Sequence, residues 1–306
     1  MASTWRAPAR FVRSCSLVTA LVWVGHGAAL AGPPDLAAAL RAQHAALTEQ
    51  LSHNPFDRPI VLQSTQTSGD LRGDIYAVVE HPFATVDEAL QGANHWCDIL
   101  MLHLNVKGCS ASEVVPRSSL AVSIGRKVDQ PLASAFRVDF SYRIAEHASD
   151  YLQVLLNADS GPLGTHDYRI ALEAVQLDSQ RSFIHMSYSY TYGLAARLAM
   201  QGYLSTLGSD KVGFSVVDRR GDGRPVYVGS VRGVVERNTM RYYLAIDAYL
   251  NALSSPPQER LERRLHEWFA ATERYRLQLH ELEQSEYLAM KRKEVRRQRS
   301  SEAAPG

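Results

Sequence analysis

The sequence predicts an α+β fold in which an antiparallel β-meander is covered by a long helix. Three observations support this. From residue 119 to 192, apolar and polar residues alternate with a period of two, typical of strands with one wet face. Short polar turns separate these segments, so consecutive strands are expected to pair. Residues 234–253 then show helical spacing and are apolar over much of their circumference, so they are the best cover for the sheet.

Composition places the chain among globular proteins. Of its 306 residues, 45% are hydrophobic and 21% are charged, which excludes a wholly disordered or collagen-like chain. The length suits one large domain or two ordinary ones. Lys and Arg total 33 against 32 Asp and Glu, a formal net charge of +1. This balance gives no reason to propose a nucleic-acid partner.

The first 31 residues have the layout of a secretory signal peptide. Three arginines precede an apolar run, no acidic residue occurs before Asp35, and a small-x-small cleavage signature ends at Ala31. The apolar core has about ten residues, fewer than the roughly 20 that a membrane span needs. We therefore expect cleavage near Ala31 and a periplasmic or secreted protein. An uncleaved N-terminal anchor is the alternative.

Cleavage would leave two cysteines, Cys97 and Cys109, because Cys15 lies in the removed segment. It would also remove three arginines, leaving 30 basic and 32 acidic residues. Two cysteines in an oxidising compartment predict one disulfide. Two buried thiols are the alternative. A metal site is disfavoured, because the neighbouring His and Asp residues do not match a zinc spacing.

The N-terminal half predicts helices and strands in alternation. A short helix is expected over 35–52, followed by strand, turn and strand over 60–80 with a break around Gly69. Pro82 ends the second strand, because proline cannot continue the ladder. Two short helices follow, separated by Gly92.

The central strands are predicted from the alternation of apolar and polar residues. The first has the apolar set Phe136, Val138, Phe140, Tyr142 and Ile144. Further strands are expected at 151–158, 166–177 and 181–192.

After the meander come a predicted helix at 194–208 and a hairpin over 211–231 that turns at Asp222-Gly223. The helix at 234–253 follows and ends before Pro256-Pro257.

This order of a strand, two short helices, a meander and a closing helix resembles the START-like helix-grip superfamily (SRPBCC, Bet v 1-like), in an exported bacterial-type form. The resemblance covers residues 60–254 and is carried by GDIYAVVEHPFATVDEAL, by the alternating strands and by the helix at 234–253. It implies a sheet wrapped around that helix, with an apolar cavity for a hydrophobic or lipid-like molecule and no cofactor. The insert at 194–231 departs from the single strand expected there.

The predicted site lies on the last strand of the meander and the helices that follow it. Tyrosines on an apolar strand face present hydroxyls to a buried polar group, which predicts a pocket wall. A rim of half-exposed tyrosines is the alternative. The candidate ligand-binding residues are Met186, Tyr188, Tyr190, Tyr192, Arg197, Tyr203, Asn238, Arg241 and Tyr242.

Arg237 and Arg241 are one helical turn apart and repel each other unless an acid or an anion lies between them. One hypothesis is that Arg197 or Arg241 holds a ligand carboxylate or phosphate. The other is a structural salt bridge.

Catalytic motifs are not found in the sequence, which has no GxSxG, HExxH or P-loop pattern. We therefore expect a non-catalytic binder of a hydrophobic or amphipathic ligand. The alternatives are a structural or interaction protein with a packed core, and a cyclase-like or hydrolytic enzyme.

Residues 258–300 contain neither Gly nor Pro and predict one uninterrupted helical arm. Apolar residues at 4-3 spacing form a coiled-coil-like seam, which favours self-association or a partner helix. A helix lying along the body is the alternative. Six cations and one acid at 291–299 suggest contact with anionic lipid, or a solvated helix end. The domains are then a signal peptide (1–31), an N-terminal helix and linker (32–59), the START-like domain (60–254) and the arm (258–300).

Overall fold

The computed structural model describes residues 1–2, 35–114, 117–193, 202 and 211–302. In chain order its helices and strands are α1 (Leu36–Ser52), β1 (Ile60–Gln66), β2 (Asp70–Val79), α2 (Phe83–Leu90), α3 (Ala93–Leu100), β3 (Val106–Ser112), β4 (Ser119–Ile124), β5 (Phe136–Ala148), β6 (Tyr151–Ser160), β7 (Thr165–Gln176), β8 (Ser182–Tyr192), β9 (Val216–Arg219), β10 (Pro225–Tyr227), α4 (Ser230–Asn251), α5 (Arg260–Glu273), α6 (Arg276–Leu279) and α7 (Gln284–Glu302).

Eight strands form one antiparallel sheet in the order β1-β2-β8-β7-β6-β5-β4-β3. Strands β3 to β8 are a meander, each paired with the next along the chain. The opening strand β2 pairs with β8, from Asp70 opposite Thr191 to Val79 opposite Ser182. The sheet therefore brings the start and the end of the START-like region together, and the predicted α+β class is confirmed.

Helix α4 covers one face of this sheet. The alternate residues of β8 from Ile184 to Tyr192 lie in the main apolar core with the buried face of α4. The helix crosses β2 closely at Gly73, where a Cβ would lie 2.2 Å from Thr239 Oγ1. Only glycine fits this approach without a shift of the threonine. An antiparallel sheet with a long helix packed on one face is the START-like helix-grip arrangement, so that prediction is also confirmed.

The opposite face of the sheet is covered by α1. Its leucines, with Leu47 at the centre, form a second apolar cluster with Tyr151, Val175 and Phe183. Phe183 and Ile184 are adjacent in β8 and lie in different clusters, because successive strand residues point to opposite faces. The sequence predicted helix α1 but not that it packs on this face of the sheet.

Two local predictions are confirmed only in part. In β5 the central residues Val138, Phe140 and Tyr142 are buried as expected, but Phe136 and Ile144 are 43% and 39% exposed. The elements that pack on this face of the sheet leave the outer residues of this long strand exposed. The hairpin turning at Asp222-Gly223 is confirmed with shorter strands, β9 and β10, and Gly223 has a φ of +82°. The helix predicted at 194–208 lies outside the described residues, apart from residue 202.

The uninterrupted C-terminal helix is a wrong prediction. The chain leaves the helical conformation at Tyr275, with φ −111° and ψ 47°, and again at His280, with ψ 130°. It forms α5, α6 and α7, which pack on the body. Seam residues Leu265, Trp268 and Leu279 are each 1% exposed, so the apolar stripe is buried against the chain's own core. No helix among the described residues has both the length and the apolar character needed to cross a membrane.

The cationic tract also packs inward in part. Lys291 is fully buried and donates to the carbonyl oxygens of His103 and Val106. Arg292 pairs with Glu262 and Lys293 with Asp129. These contacts give α7 a structural role in holding the C-terminus against β3.

The predicted disulfide is present between Cys97 and Cys109, whose Cα atoms are 5.3 Å apart. It joins α3 to β3, next to α7, where the backbone amide of Cys109 donates to Gln298 Oε1 at 3.1 Å.

Replacing both cysteines with serine is expected to lower the free energy of unfolding by about 3 kcal/mol, the loop-entropy value for a bridge of this short span. Urea unfolding with and without reductant measures this change in the free energy of unfolding. Reductant should destabilise the parent protein and leave the double variant unchanged. Equal stability of the oxidised and reduced parent would contradict the expectation.

Candidate ligand-binding cavity

A cavity of about 700 Å³ lies between the N-terminal half of α4 and the sheet. Strands β7 and β8 form one wall and α4 forms the opposite wall. Loops beside β3, β4 and β6 and the connection between α6 and α7 supply the rest of the lining. The apolar side chains in its lining are Val106, Ile124, Val128, Pro162, Leu163, Val234 and Leu282. The apolar surface of this space suits a hydrophobic molecule.

Four tyrosines line the cavity. The rings of Tyr168 and Tyr190 stack with centroids 5.2 Å apart, and Tyr188 contacts Tyr242 of α4 at 5.2 Å. Tyr168 bonds through its hydroxyl to Thr165 Oγ1 at 2.6 Å. In the described part of the chain, the hydroxyls of Tyr188, Tyr190 and Tyr242 have no hydrogen-bond partner. Burial raises the pKa of all three, so they remain neutral donors at physiological pH.

His103 also lines this wall. Its ring stacks on Tyr242 at 4.8 Å, and its Nδ1 accepts the backbone N–H of Asn105 at 3.1 Å. Burial of the ring lowers the pKa of His103. The positive charges of nearby cations, Arg241 first among them, lower it further. The ring is therefore neutral and carries its hydrogen on Nε2, which has no partner among the described residues.

The other end of the cavity is cationic. Arg241 Nη2 donates to Glu281 Oε1 at 2.8 Å, and the Lys127 ammonium donates to the same oxygen. Arg237 lies one turn before Arg241 and donates to the carbonyl oxygen of Val212 at 3.2 Å. Burial, and then Arg241, lower the pKa of Lys127 to about 8. The acid that pairs with Arg241 is thus Glu281, from the connection between α6 and α7.

Five of the nine candidate residues line this cavity: Tyr188, Tyr190, Asn238, Arg241 and Tyr242. Met186 is fully buried in the core, outside the lining. Tyr192 is also outside it, and its hydroxyl bonds to the carbonyl oxygen of Thr67 at 3.3 Å. Arg197 and Tyr203 lie outside the described residues.

Sequence reasoning missed Tyr168, His103, Lys127 and Glu281 as lining residues. Of these four, only Tyr168 could have been found from the sequence, because it lies in β7, and the alternating residues of that strand pair with β8. The other three come from loops far apart in the chain. Across the described ranges, no group of three or more His, Cys, Asp or Glu side chains could hold a metal ion.

Comparisons with known proteins found solved structures only. No family model matches the chain, and no curated protein matches it. A START superfamily protein from Mycobacterium smegmatis is 10% identical, with a TM-score of 0.31 over 46% of this chain and 93% of that one. Human StAR-related lipid transfer protein 5 is 10% identical, with a TM-score of 0.30 over 55% and 89%. An aromatase/cyclase from Streptomyces sp. R1128 is 10% identical, with a TM-score of 0.31 over 46% and 87%. At these scores the fold assignment rests on the sheet order and the position of α4.

Proposed function

We propose that this chain, which has the START-like helix-grip fold, binds a hydrophobic or amphipathic lipid-like molecule in its cavity without transforming it. One observation carries the proposal: the space beneath α4 measures about 700 Å³ and is walled by apolar and tyrosine side chains. Ligand sites are typically roughly 300–1,000 Å³, largely apolar, with a few convergent polar groups.

The polar groups of the cavity support an amphipathic ligand. Within the described residues, the hydroxyls of Tyr188, Tyr190 and Tyr242 and the Nε2 of His103 have no protein partner. The tyrosine hydroxyls line the open space of the cavity, where they can donate to the polar group of a bound molecule. The packed-core alternative has no use for these donors, because a filled core would bury apolar side chains in their place.

The chemistry of the lining favours binding over catalysis. His103 cannot accept a proton from a ligand, because its Nδ1 lone pair already accepts the Asn105 amide. Among the described lining residues the one carboxylate, Glu281, is held by Arg241 and Lys127. A general base needs a free acceptor within reach of the substrate. These residues supply donors and cations instead.

Export belongs to the same proposal. The signal-peptide pattern ending at Ala31 and the Cys97–Cys109 disulfide both fit an oxidising compartment. We propose a periplasmic or secreted carrier that starts near residue 32. N-terminal sequencing of the protein from the culture's extracytoplasmic fraction tests this. A start at Met1 would contradict it.

Removing cavity hydroxyls is expected to weaken ligand binding without unfolding the protein. The double variant Tyr188→Phe/Tyr242→Phe should lower the affinity for a fluorescent fatty acid about 10-fold, since each hydrogen bond contributes about 1 kcal/mol or less. Melting temperature should change little, because the rings remain. Fluorescence titration measures the affinity.

Tyr227→Phe, in β10 and outside the cavity, is the matched control and should bind as the parent does. Native mass spectrometry of the purified protein should also show a co-purifying molecule. If no molecule co-purifies and no probe saturates the parent protein, the carrier proposal fails.

A further inference from the structure

We infer that His185, Asp74 and Glu173 form a pH-sensitive link across β2, β8 and β7, in which a doubly protonated His185 joins the three strands and releases part of that link in alkaline solution. We call these three residues the His185 cluster. It lies on the face of the sheet opposite the cavity, so it does not depend on the proposed ligand.

Both ring nitrogens of His185 lie against carboxylates. Nδ1 is 2.9 Å from Glu173 Oε2, and Nε2 is 2.9 Å from Asp74 Oδ1. A neutral imidazole carries one hydrogen, so one of its nitrogens would present a lone pair to a carboxylate oxygen. An imidazolium donates from both nitrogens and satisfies both carboxylates. The geometry therefore assigns the charged form to His185.

Strand pairing brings the cluster together on the outer face of the sheet. His185 of β8 lies opposite Tyr76 of β2 on one side and opposite Glu173 of β7 on the other. Asp74 is two residues before Tyr76, so both point to the same face. Phe183, two residues before His185, belongs to the apolar cluster under α1. The His185 cluster therefore lies on the α1 side, and the cavity lies on the other.

Further donors hold the two carboxylates in place. Arg72 donates to Asp74 from Nε and from Nη2, each at 2.8 Å, and the Tyr151 hydroxyl donates to Glu173 Oε1 at 2.6 Å. Although burial opposes it, hydrogen bonds led by the one from His185 lower the pKa of both carboxyl groups. Asp74 and Glu173 are therefore anions at neutral pH, and the ring is the member of the cluster that changes charge.

The ring has little contact with solvent. The His185 side chain is 13% exposed, and the ring stacks on Tyr76 at 4.3 Å. The titratable and charged side chains around it are Arg72, Asp74 and Tyr76 of β2, Tyr151 of β6, Glu173 of β7 and His44 of α1, which packs on Phe183.

Loss of the ring's second hydrogen removes one of the two bonds. Although burial opposes it, the hydrogen bonds to Asp74 and Glu173 raise the pKa of His185. Stability from such a group is complete below the unfolded-state value of about 6.5 and is lost as pH rises through the folded-state value. Strand β8 carries Tyr188 and Tyr190 on its other face, so the link supports one wall of the cavity.

NMR titration of the histidine ring nitrogens in the purified protein tests the charge, with the His185 signals assigned through their contacts with the Tyr76 ring. Both nitrogens should carry hydrogens at pH 6, and the ring should lose one at a pH above the ordinary value of about 6.5. Asp74→Asn removes one carboxylate and should lower this titration point. A parent ring that titrates at or below about 6.5 would overturn the inference.

Urea unfolding of His185→Gln at pH 6 and pH 9 tests the link between the strands. The unfolding constant of the variant should exceed that of the parent at pH 6, and this excess should be about threefold smaller or less at pH 9. His53→Gln replaces an exposed histidine after α1 and should show no such change. An excess that is equal at both pH values would contradict the inference. If His185→Gln does not fold, the NMR titration of the parent still decides.

Discussion

Replacing Glu294 with glutamine is expected to lower the free energy of unfolding by about 3–5 kcal/mol at pH 7, the cost of breaking a buried ion pair. Glu294 Oε1 accepts from Lys107 Nζ at 3.0 Å, and its Oε2 accepts from Lys291 Nζ at 2.6 Å. The side chains of all three residues are at most 1% exposed. Glutamine would leave two buried ammonium groups without a counter-charge where α7 meets β3.

The pH dependence of this loss follows from the two lysines. Burial lowers the pKa of Lys107, and it lowers that of Lys291 to about 8, against 10.5 in the unfolded chain. A lysine with a lowered folded-state pKa destabilises the fold while it is charged, and that cost is relieved as pH rises through the folded pKa. Without Glu294 both values should fall further. The deficit of the variant should therefore be largest near pH 6 and shrink towards pH 8.

Urea unfolding at pH 6, 7 and 8 measures this effect. Glu49→Gln is the matched control, because Glu49 is exposed on α1 and its loss should change stability by less than about 0.5 kcal/mol. If Glu294→Gln lowers the free energy of unfolding as little as the control does, then α7 does not bury Glu294 and the two lysines in solution.

Replacing Trp268 with alanine is expected to cost about 3–5 kcal/mol, the range for deleting a buried aromatic side chain. Trp268 is 1% exposed, its Nε1 donates to the carbonyl oxygen of Arg241 at 3.1 Å, and its ring stacks on Tyr287 at 5.0 Å. One side chain thus joins α5 to both α4 and α7. Its removal would open a cavity among three helices.

Thermal and urea unfolding of Trp268→Ala test whether the C-terminal helices belong to the core. Leu277→Ala is the control, because Leu277 is 60% exposed on α6 and should matter little. If α5 to α7 were an arm independent of the body, Trp268→Ala would leave the main transition where it is. A single cooperative transition, shifted to lower temperature, is the expected result.

The candidate site was predictable only along single elements. Tyr188 and Tyr190 could be assigned to one face because alternation in β8 is a local property of consecutive residues. Asn238, Arg241 and Tyr242 followed from their position on the helix that covers the sheet. His103, Lys127 and Glu281 come from three loops separated by up to 178 positions in the chain, and nothing in their local sequence pattern relates them.

The C-terminal region shows the same limit for the fold. The 4-3 spacing around Trp268 identified an apolar stripe, which is a property of the sequence. The pattern left open whether a partner helix or the chain's own body covers that stripe. Helices α4 and α7 cover it here, and the chain breaks the helix at Tyr275 and His280.

By itself the sequence determined most of the periodic elements, their order and the α+β class, and it favoured the pairing of Cys97 with Cys109. These depend on neighbouring residues or on a count of cysteines. Only the tertiary structure decided that a cavity exists, that Glu281 meets Arg241 and that the last 40 or so residues are part of the body. Such features depend on distances between remote segments, and those distances are set by packing the whole chain at once.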